Sequence, residues 1–392
     1  MNIVADHYSK ILIESGFWSF YAFETARDLL LKKKPSGLKV LTNADISQLA
    51  RFFGDLRYRQ GRNEHARLTL GDTSVSFYVS DMLPEGKRGV SNHRELKRRA
   101  LRKAADHTPF LSNGFFYDVE GDLFYDPFDA YPLLKRRLIR TRMPPEKTIN
   151  DFPLLALKAA KESSETGFEL DDALGEYLGH KACLAPYRDA GPAVVQDLID
   201  ILRSPHAYRA FRMLDDWGVL DELLPELAAL KSVHQDKDHH PEGNAFLHTL
   251  RCLSCVKKPD KNLMMAILLH DTGKAVTKDN GKGSMPFPEH SAASAIIAKE
   301  VLRRFCFTEE DAKEVLFCVK HHMILGAFDR IPENRVKTLF RSPFFPNLLE
   351  LYRADIESGY HDSASYYHVT RRYREFLRKE NCYKNGIYAM HR

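Results

Sequence analysis

Residues 267–278 read "ILLHDTGKAVTK". An apolar run ends in adjacent imidazole and carboxylate groups, His270 and Asp271, and a glycine and a lysine follow. The run belongs to "NLMMAILL" (262–269), an uncharged segment suited to a helix buried on all sides. Polar groups at such a helix end cost free energy unless they find partners. The surrounding sequence offers several. His248 lies in the apolar helical segment "GNAFLHTLRCL", His290 follows "PFPE" near a helix start, His321 and His322 close "AKEVLFCVKHH", and Asp355 lies in "LLELYRADIESG". A lone buried imidazole is ordinarily a hydrogen-bonded core residue. Four or five imidazoles and two carboxylates on successive apolar helices instead point to a shared divalent cation, which offsets their desolvation by coordination. Neighbouring helix positions differ by roughly 100°, so His270 and Asp271 suit a metal at the helix end, with the carboxylate able to bridge two ions. Imidazole-rich ligation favours Zn, Fe, Ni, Mn or Co over Mg alone.

Composition bounds what surrounds this segment. At 392 residues the chain has room for two or three domains with cores of their own. Hydrophobic content of 44% and charged content of 28% exclude disordered and fibrous classes. No stretch approaches the roughly 20 uncharged apolar residues that cross a bilayer, so no membrane partner is expected. The start "MNIVADHYSKILIESG" lacks the basic-then-apolar order of a secretion signal. Six scattered cysteines suit a reducing cytoplasm, the expected location. Cys252 and Cys255 share one helical segment with no second CxxC, and read as buried thiols before a zinc site. The net charge of +5 is mild, but "HRELKRRALRK" (93–103) and "KRRLIRTR" (135–142) gather positive charge in the first part of the chain. Charge alone does not separate a phosphate-backbone contact from a solvated helix face.

Residues 1–142 alternate strand and helix patterns. "GFWSFYAF" reads as a strand leading into the helix "ETARDLLLKKK", and "GLKVLT" as a strand before the helix "NADISQLARFFG", with Asn43 a candidate N-cap. "ARLTLGDTSVSFYVSD" and "GFFYDVEGDLFYDPF" read as hairpins, the second turning at Glu120-Gly121. From about Asp151 the apolar spacing changes to three- and four-residue steps, and almost only helices are expected. "RMPPEK" (142–147) is the sharpest compositional boundary and "KSVHQDKDHHPEG" (231–243) a second. The expected fold is an α+β head with a mixed sheet over 1–142, an all-α segment over 143–230 and a second all-α domain over 231–360. A basic, aromatic extension follows over 361–392.

His248, His270-Asp271 and Asp355 match the H…HD…D signature of the HD phosphohydrolase superfamily, which the segment resembles closely. Members that supply two intervening histidines usually hold two metals. By position these are His290 and one of His321 and His322, with His322 favoured; His321 and His240 are further candidates as ligands or as supports of ligands. Lys274 resembles the family's phosphate-facing lysine. The resemblance therefore implies Asp271, Lys274 and His270 as catalytic residues around a divalent transition metal, two ions being favoured (Ni, Mn, Co, Fe or Zn, with Mg possible). Such cations activate water and clamp phosphoryl oxygens, and a lysine adds positive charge to the same oxygens.

The whole chain, from about residue 15 to residue 360, resembles bacterial tRNA nucleotidyltransferases (CCA-adding enzymes) with a C-terminal HD domain. "TARDLLL" and "DPFDAYPLLKRRLIRT" look like the start and end of their catalytic head, and "SPHAYRAFRMLDDWGVLDELLPEL" like their helical neck. The departures fall on the chemistry. "AFETARD" puts Ala22 and Phe23 where the family has a Gly-Gly turn, and "SGLKVLTNA" puts Gly37 and Lys39 where it has a D-x-D pair for Mg²⁺. The third carboxylate aligns near Ser76, the R-R-D before "N" with "HTPFLSN", and the nucleotide-reading E-D-x-x-R with "DFPLL". The resemblance implies a head that keeps its fold without nucleotidyl transfer, which requires oxygen ligands for Mg²⁺. It also implies an HD domain hydrolysing 2′,3′-cyclic phosphodiesters or phosphomonoesters at RNA 3′ ends, the RNA being tRNA or tRNA-like. Lys97, Arg98, Arg99, Arg102, Lys135, Arg136, Arg137 and Arg140 are the candidate RNA contacts. A small-nucleotide HD hydrolase, an RNA-binding protein with a structural metal, and a working CCA-adding enzyme are the alternatives.

Overall fold

Strands from both sides of "GLKVLT" assemble one mixed sheet in the computed structural model. It describes residues 7–35, 37–54, 57–58, 66–70, 73–80, 82–83, 93–181, 184–188, 191–234, 243–277, 287, 289–359 and 363–384. The strands are β1 (Phe20–Ala22), β2 (Leu38–Thr42), β3 (Arg57–Tyr58), β4 (Ala66–Leu70), β5 (Thr73–Val79), β6 (Phe116–Asp118) and β7 (Leu123–Tyr125), in the spatial order β3-β4-β5-β2-β1-β6-β7. β2 and β5 run parallel and the other neighbours antiparallel. Both hairpins expected from sequence are present, with Leu70 opposite Thr73 and Asp118 opposite Leu123. Helices α1 (Phe23–Leu30), α2 (Ile46–Phe53) and α3 (His93–Ala104) are among those of this part. A core of Trp18, Phe20, Phe23, Leu41, Tyr78, Leu101 and Phe116 holds sheet and helices together. Full burial of each such side chain contributes about 1.5–3 kcal/mol.

One cap differs from expectation. Asp45, not Asn43, caps α2: its carboxylate accepts from Gln48 N while the Gln48 side chain accepts from Asp45 N, both at 2.8 Å. This reciprocal box satisfies two otherwise orphaned donors. Asn43 is occupied elsewhere, its Oδ1 accepting from Trp18 N at 2.9 Å.

The chain divides into two compact units, Met1–Leu155 with Phe168–Tyr177, and Ala156–Gly167 with Leu178–Arg392. The first unit reclaims a short later segment through a parallel pair, Leu138–Ile139 with Glu169–Leu170. Helical periodicity after residue 151 gives no sign of this two-residue strand, because its register is set by its partner.

The second unit is helical. Its helices include α4 (Leu155–Thr166), α5 (Gly191–Arg203), α6 (Ala207–Asp216), α7 (Ala245–Cys255), α8 (Lys261–Leu269), α9 (His290–Arg304), α10 (Glu309–His321), α11 (Glu333–Arg341), α12 (Phe345–Ser358) and α13 (Ala364–Lys384). α8 is the central element: every residue from Asn262 to Leu269 is buried, and α5, α7, α9, α10 and α12 pack around it. Asp260 starts it by accepting from Asn262 N and Leu263 N at 2.9 and 3.2 Å. Its one buried amide, Asn262, donates to Asp311 at 3.0 Å and Glu314 at 2.8 Å. The C-terminal extension is in large part helix α13. Tyr373 on it packs edge-on or tilted against Phe340 of α11 and Phe345 of α12, with ring centroids 5.2 and 4.6 Å apart.

Candidate metal centre

The C-terminal end of α8 is buried, so its last carbonyls require donors from nearby. The motif residues supply them: His270 Nδ1 lies 2.7 Å from Ile267 O, and Thr272 Oγ1 donates to Leu269 O at 2.8 Å. His270 and Asp271 are both 2% exposed. The chain then turns through a short 3-10 helix, Thr272–Ala275, packed closely against the start of α9. Gly273 makes that approach possible: its N–H donates to Ser294 Oγ at 2.8 Å. A Cβ at this position would run into the His290 carbonyl oxygen and stand 2.6 Å from Ser294 N. The glycine thereby brings His290 to the end of α8.

Three more imidazoles converge there, each oriented through Nδ1. His290 Nδ1 lies 3.0 Å from Phe287 O, His322 Nδ1 2.7 Å from Val319 O, and His248 Nδ1 3.2 Å from Ser358 Oγ. A carbonyl oxygen only accepts, so His270, His290 and His322 carry a proton at Nδ1, and their Nε2 atoms present lone pairs to the interior when the rings are neutral. His290 Nε2 and His322 Nε2 face each other at 3.2 Å. Two lone pairs at that distance repel unless a cation lies between or beside them. Burial lowers the pKa of both rings, reinforced for His322 by His270 and offset in part for each by Asp271, and brings His322 down to about 3. Protonation is therefore a poor answer to the repulsion near neutral pH. A metal ion is a good one.

The donors fall into two groups. His248, Cys252, His270 and Asp355 form one, and Asp271, His290 and His322 the other, with the ligand atoms of each group within 4.8 Å of one another. Asp271 lies where both meet: Oδ2 is 3.4 Å from His270 Nε2, while Oδ1 is 3.5 Å from His290 Nε2 and 3.7 Å from His322 Nε2. Burial disfavours the Asp271 anion, but the electrostatic pull of His270 and of the Lys274 ammonium outweighs it and holds the carboxyl well below its ordinary range. Asp355 is half-buried and accepts from His248 Nε2 at 3.0 Å when that nitrogen is protonated. Its pKa is likewise lowered, burial being outweighed by the bond and charge of His248. Nitrogen-rich donors with carboxylates, buried and pre-oriented, fit divalent-cation binding. Lys274 reaches the same point, its Nζ 2.6 Å from Asp271 Oδ2 and 5.7 Å from the Phe287 ring centroid.

The remaining expected residues are placed differently. His321 belongs to neither group: one helical step from His322, its ring turns to Phe317 with centroids 4.9 Å apart. His240 lies outside the described residues. Cys252 is the member that sequence reasoning missed, although it follows His248 by four residues, one helical turn along the same face. Among the basic residues, Lys97 is turned inward, 3.1 Å from Asp118 Oδ2 and 4.1 Å above the Trp18 ring. Arg102 donates to Pro127 O at 3.1 Å, Lys135 lies 4.8 Å from the Tyr131 ring centroid, and Arg140 pairs with Asp171 at 2.6 Å. Arg98, Arg99, Arg136 and Arg137 are exposed.

Two family models match: the HD domain over residues 245–341, and "Probable RNA and SrmB-binding site of polymerase A" over residues 194–231. The chain is 28% identical over 370 residues to the CC-adding tRNA nucleotidyltransferase of Thermus thermophilus, covering 90% of this chain and 79% of that protein. These matches make the chain similar to CCA-adding tRNA nucleotidyltransferases that carry an HD domain. It is also 31% identical over 257 residues to the A-adding tRNA nucleotidyltransferase of Deinococcus radiodurans, covering 63% and 58% of the two chains. It is 40% identical over 263 residues to the Multifunctional CCA protein of Halorhodospira halophila, covering 62% and 57%. The chain thus spans little more than half of these last two relatives. The fold agrees with the Bacillus stearothermophilus CCA-adding enzyme in complex with CTP (TM-score 0.58, 18% identity, 93% of this chain and 80% of that one). It also agrees with a tRNA nucleotidyltransferase complexed with a primer tRNA and an incoming ATP analog (TM-score 0.54, 16% identity, 95% and 99%).

The family's head motifs map to one corner of the sheet. Phe23, at the place of the Gly-Gly turn, has φ +56° and is buried, its ring 4.8 Å from Tyr78 and 5.9 Å from Phe116. A side chain thus fills a left-handed position that glycine adopts without strain. Lys39 and Ser76 are direct partners across the parallel β2–β5 pair, and the Lys39 ammonium bonds Glu24. Arg27, retained from the motif, is 1% exposed, pairing with Asp28 at 2.8 Å and donating to Asn113 Oδ1 at 3.1 Å.

Proposed function

We propose that the chain is a metal-dependent phosphohydrolase acting on RNA 3′ ends, opening terminal 2′,3′-cyclic phosphates or removing terminal phosphate. The observation that carries this reading is the opposition of His290 and His322 through Nε2 at 3.2 Å, with their Nδ1 protons held by backbone carbonyls. His248, His270 and Asp355 would hold one cation and Asp271, His290 and His322 a second, with Asp271 between them. Divalent cations bound there supply Lewis acidity, activating water and neutralising charge on phosphoryl oxygens. The carbonyls of Ile267, Phe287 and Val319 keep three Nε2 atoms unprotonated and aimed inward. Lys274, beside Asp271, contributes a positive charge to the phosphoryl oxygens as negative charge builds on them.

The head supports a second part of the reading, a loss of nucleotidyl transfer. Lys39 and Ser76 stand side by side where the family resemblance calls for carboxylates, and an ammonium repels the Mg²⁺ that those carboxylates would hold. What the motif retains, Arg27 with Asn113, is buried and structural in character. In this reading residues 1–142 are a degenerate head, 143–230 the neck, 231–360 the HD domain and 361–392 a basic, aromatic extension, helical over Ala364–Lys384. The likeness to tRNA nucleotidyltransferases favours an RNA substrate, one solved structure of similar fold being complexed with a primer tRNA. Arg98, Arg99, Arg136 and Arg137 are the most available of the basic candidates for its backbone.

The test is the purified full chain with Ni²⁺, Mn²⁺, Co²⁺ or Mg²⁺ against RNA ending in 2′,3′-cyclic phosphate, 2′-phosphate or 3′-phosphate. At least one end is hydrolysed in a metal-dependent way, and Asp271→Ala abolishes the activity. Hydrolysis of mononucleotides alone would transfer the reading to small nucleotides, and no hydrolysis of either would refute it.

A further inference from the structure

Cys252 is buried to 1% exposure on α7, its Sγ 3.5 Å from His248 Nε2. We infer that the Cys252 sulfur is itself a metal ligand, so that one half of the centre is a two-nitrogen, one-oxygen, one-sulfur site built from His248, His270, Asp355 and Cys252. The inference rests on the metal-centre reading above and adds a donor that the H…HD…D signature does not contain.

Geometry favours it. A tetrahedral zinc ion with bonds of about 2.1 Å to nitrogen and 2.3 Å to sulfur separates those two ligand atoms by about 3.6 Å. The Cys252–His248 spacing is 3.5 Å, and all four donor atoms lie within 4.8 Å of one another. The thiol's other neighbour is Ser358 Oγ at 3.2 Å, and that hydroxyl donates its own hydrogen to Asp355 O at 2.7 Å. Ser358 also faces His248 Nδ1 at 3.2 Å. While the thiol keeps its proton, one hydroxyl thus ties together three of the four ligand residues, the S–H donating to Ser358 Oγ and the sulfur lying beside Nε2.

The chemistry gives the two halves different preferences. Asp271, His290 and His322 offer only nitrogen and oxygen, whereas a thiolate in the other half selects Zn²⁺, Co²⁺, Ni²⁺ or Fe²⁺ against Mg²⁺. Coordination converts the thiol to a thiolate: the S–H bond breaks, a sulfur–metal bond forms, and the proton leaves to solvent. A cysteine serving only as a small core residue would keep its proton and leave no spectroscopic trace of the metal. Cys255, three residues on and half-buried, belongs to neither donor group and provides an internal comparison.

Adding Co²⁺ without oxygen to the metal-free full chain tests this directly. A near-ultraviolet sulfur-to-cobalt charge-transfer band is expected, lost in Cys252→Ser and retained in Cys255→Ser. Zinc X-ray absorption on the unaltered chain needs no variant, and should contain a sulfur shell at about 2.3 Å. Bound cobalt without the band, a band that survives Cys252→Ser, or a zinc environment of nitrogen and oxygen alone overturns the thiol's role. Failure to bind cobalt at all overturns the metal-centre reading with it.

Discussion

His321 and His322 are consecutive, yet one packs edge-to-face on Phe317 and the other meets His290 inside the centre. Successive helix residues point roughly 100° apart, so only one of the two can face inward. His322→Ala is therefore expected to lower metal affinity by at least about 100-fold, while His321→Ala changes it by no more than a few-fold; equilibrium dialysis with Mn²⁺ distinguishes them. The residue types and the helix ends were legible in the sequence, because an apolar run ending in His and Asp buries polar groups that need a common partner. Cys252 was not legible, because attention to the Cys252–Cys255 spacing hides the one-turn spacing of Cys252 from His248. Nor was the inward turn of Lys97 onto Asp118 and Trp18, since a basic run reads the same whether one member is buried or none.

Between elements, the decisive contact is the close approach of the Thr272–Ala275 turn to the start of α9 at Gly273. Gly273→Ala pushes a Cβ into backbone, which cannot yield as a flexible side-chain tip would. The expected cost is about 3 kcal/mol, measured by urea unfolding, with a fall in metal affinity because His290 moves with the backbone. A second contact between elements carries a pH signature. Lys158 and Lys161 on α4 donate to Asp197 on α5 at 3.1 and 3.0 Å. Burial opposes ionisation of Asp197, but the charges and hydrogen bonds of the two lysines outweigh it and hold its pKa below the ordinary 3.8. A depressed folded-state pKa means that the stabilisation is fully present above the unfolded value and is lost as pH falls toward the folded one. Asp197→Asn should thus cost about 2 kcal/mol at neutral pH. The gap to the unaltered chain should close as unfolding is measured below about pH 4. Periodicity indicated most helices, and alternation both hairpins, but caps and partners were less legible. Asp45 and Asn43 are equally good cap residues in isolation, and only the reciprocal bond to Gln48 and the claim of Trp18 on Asn43 decide between them.

Across the molecule, the α+β unit and the helical unit carry opposite expectations for chemistry. The head has Lys39 beside Ser76 and an aromatic side chain at the turn, so labelled CTP should not be incorporated into tRNA lacking its 3′ end; incorporation at a rate near that of a working relative would refute the loss. The helical unit is expected to hold cations. Anomalous X-ray scattering from crystals of the full chain grown with Mn²⁺ tests that claim most directly. The account predicts two peaks, one bounded by His248, His270 and Asp355 and one by Asp271, His290 and His322. Absence of any peak there, with the His290 and His322 rings still facing each other, would contradict it.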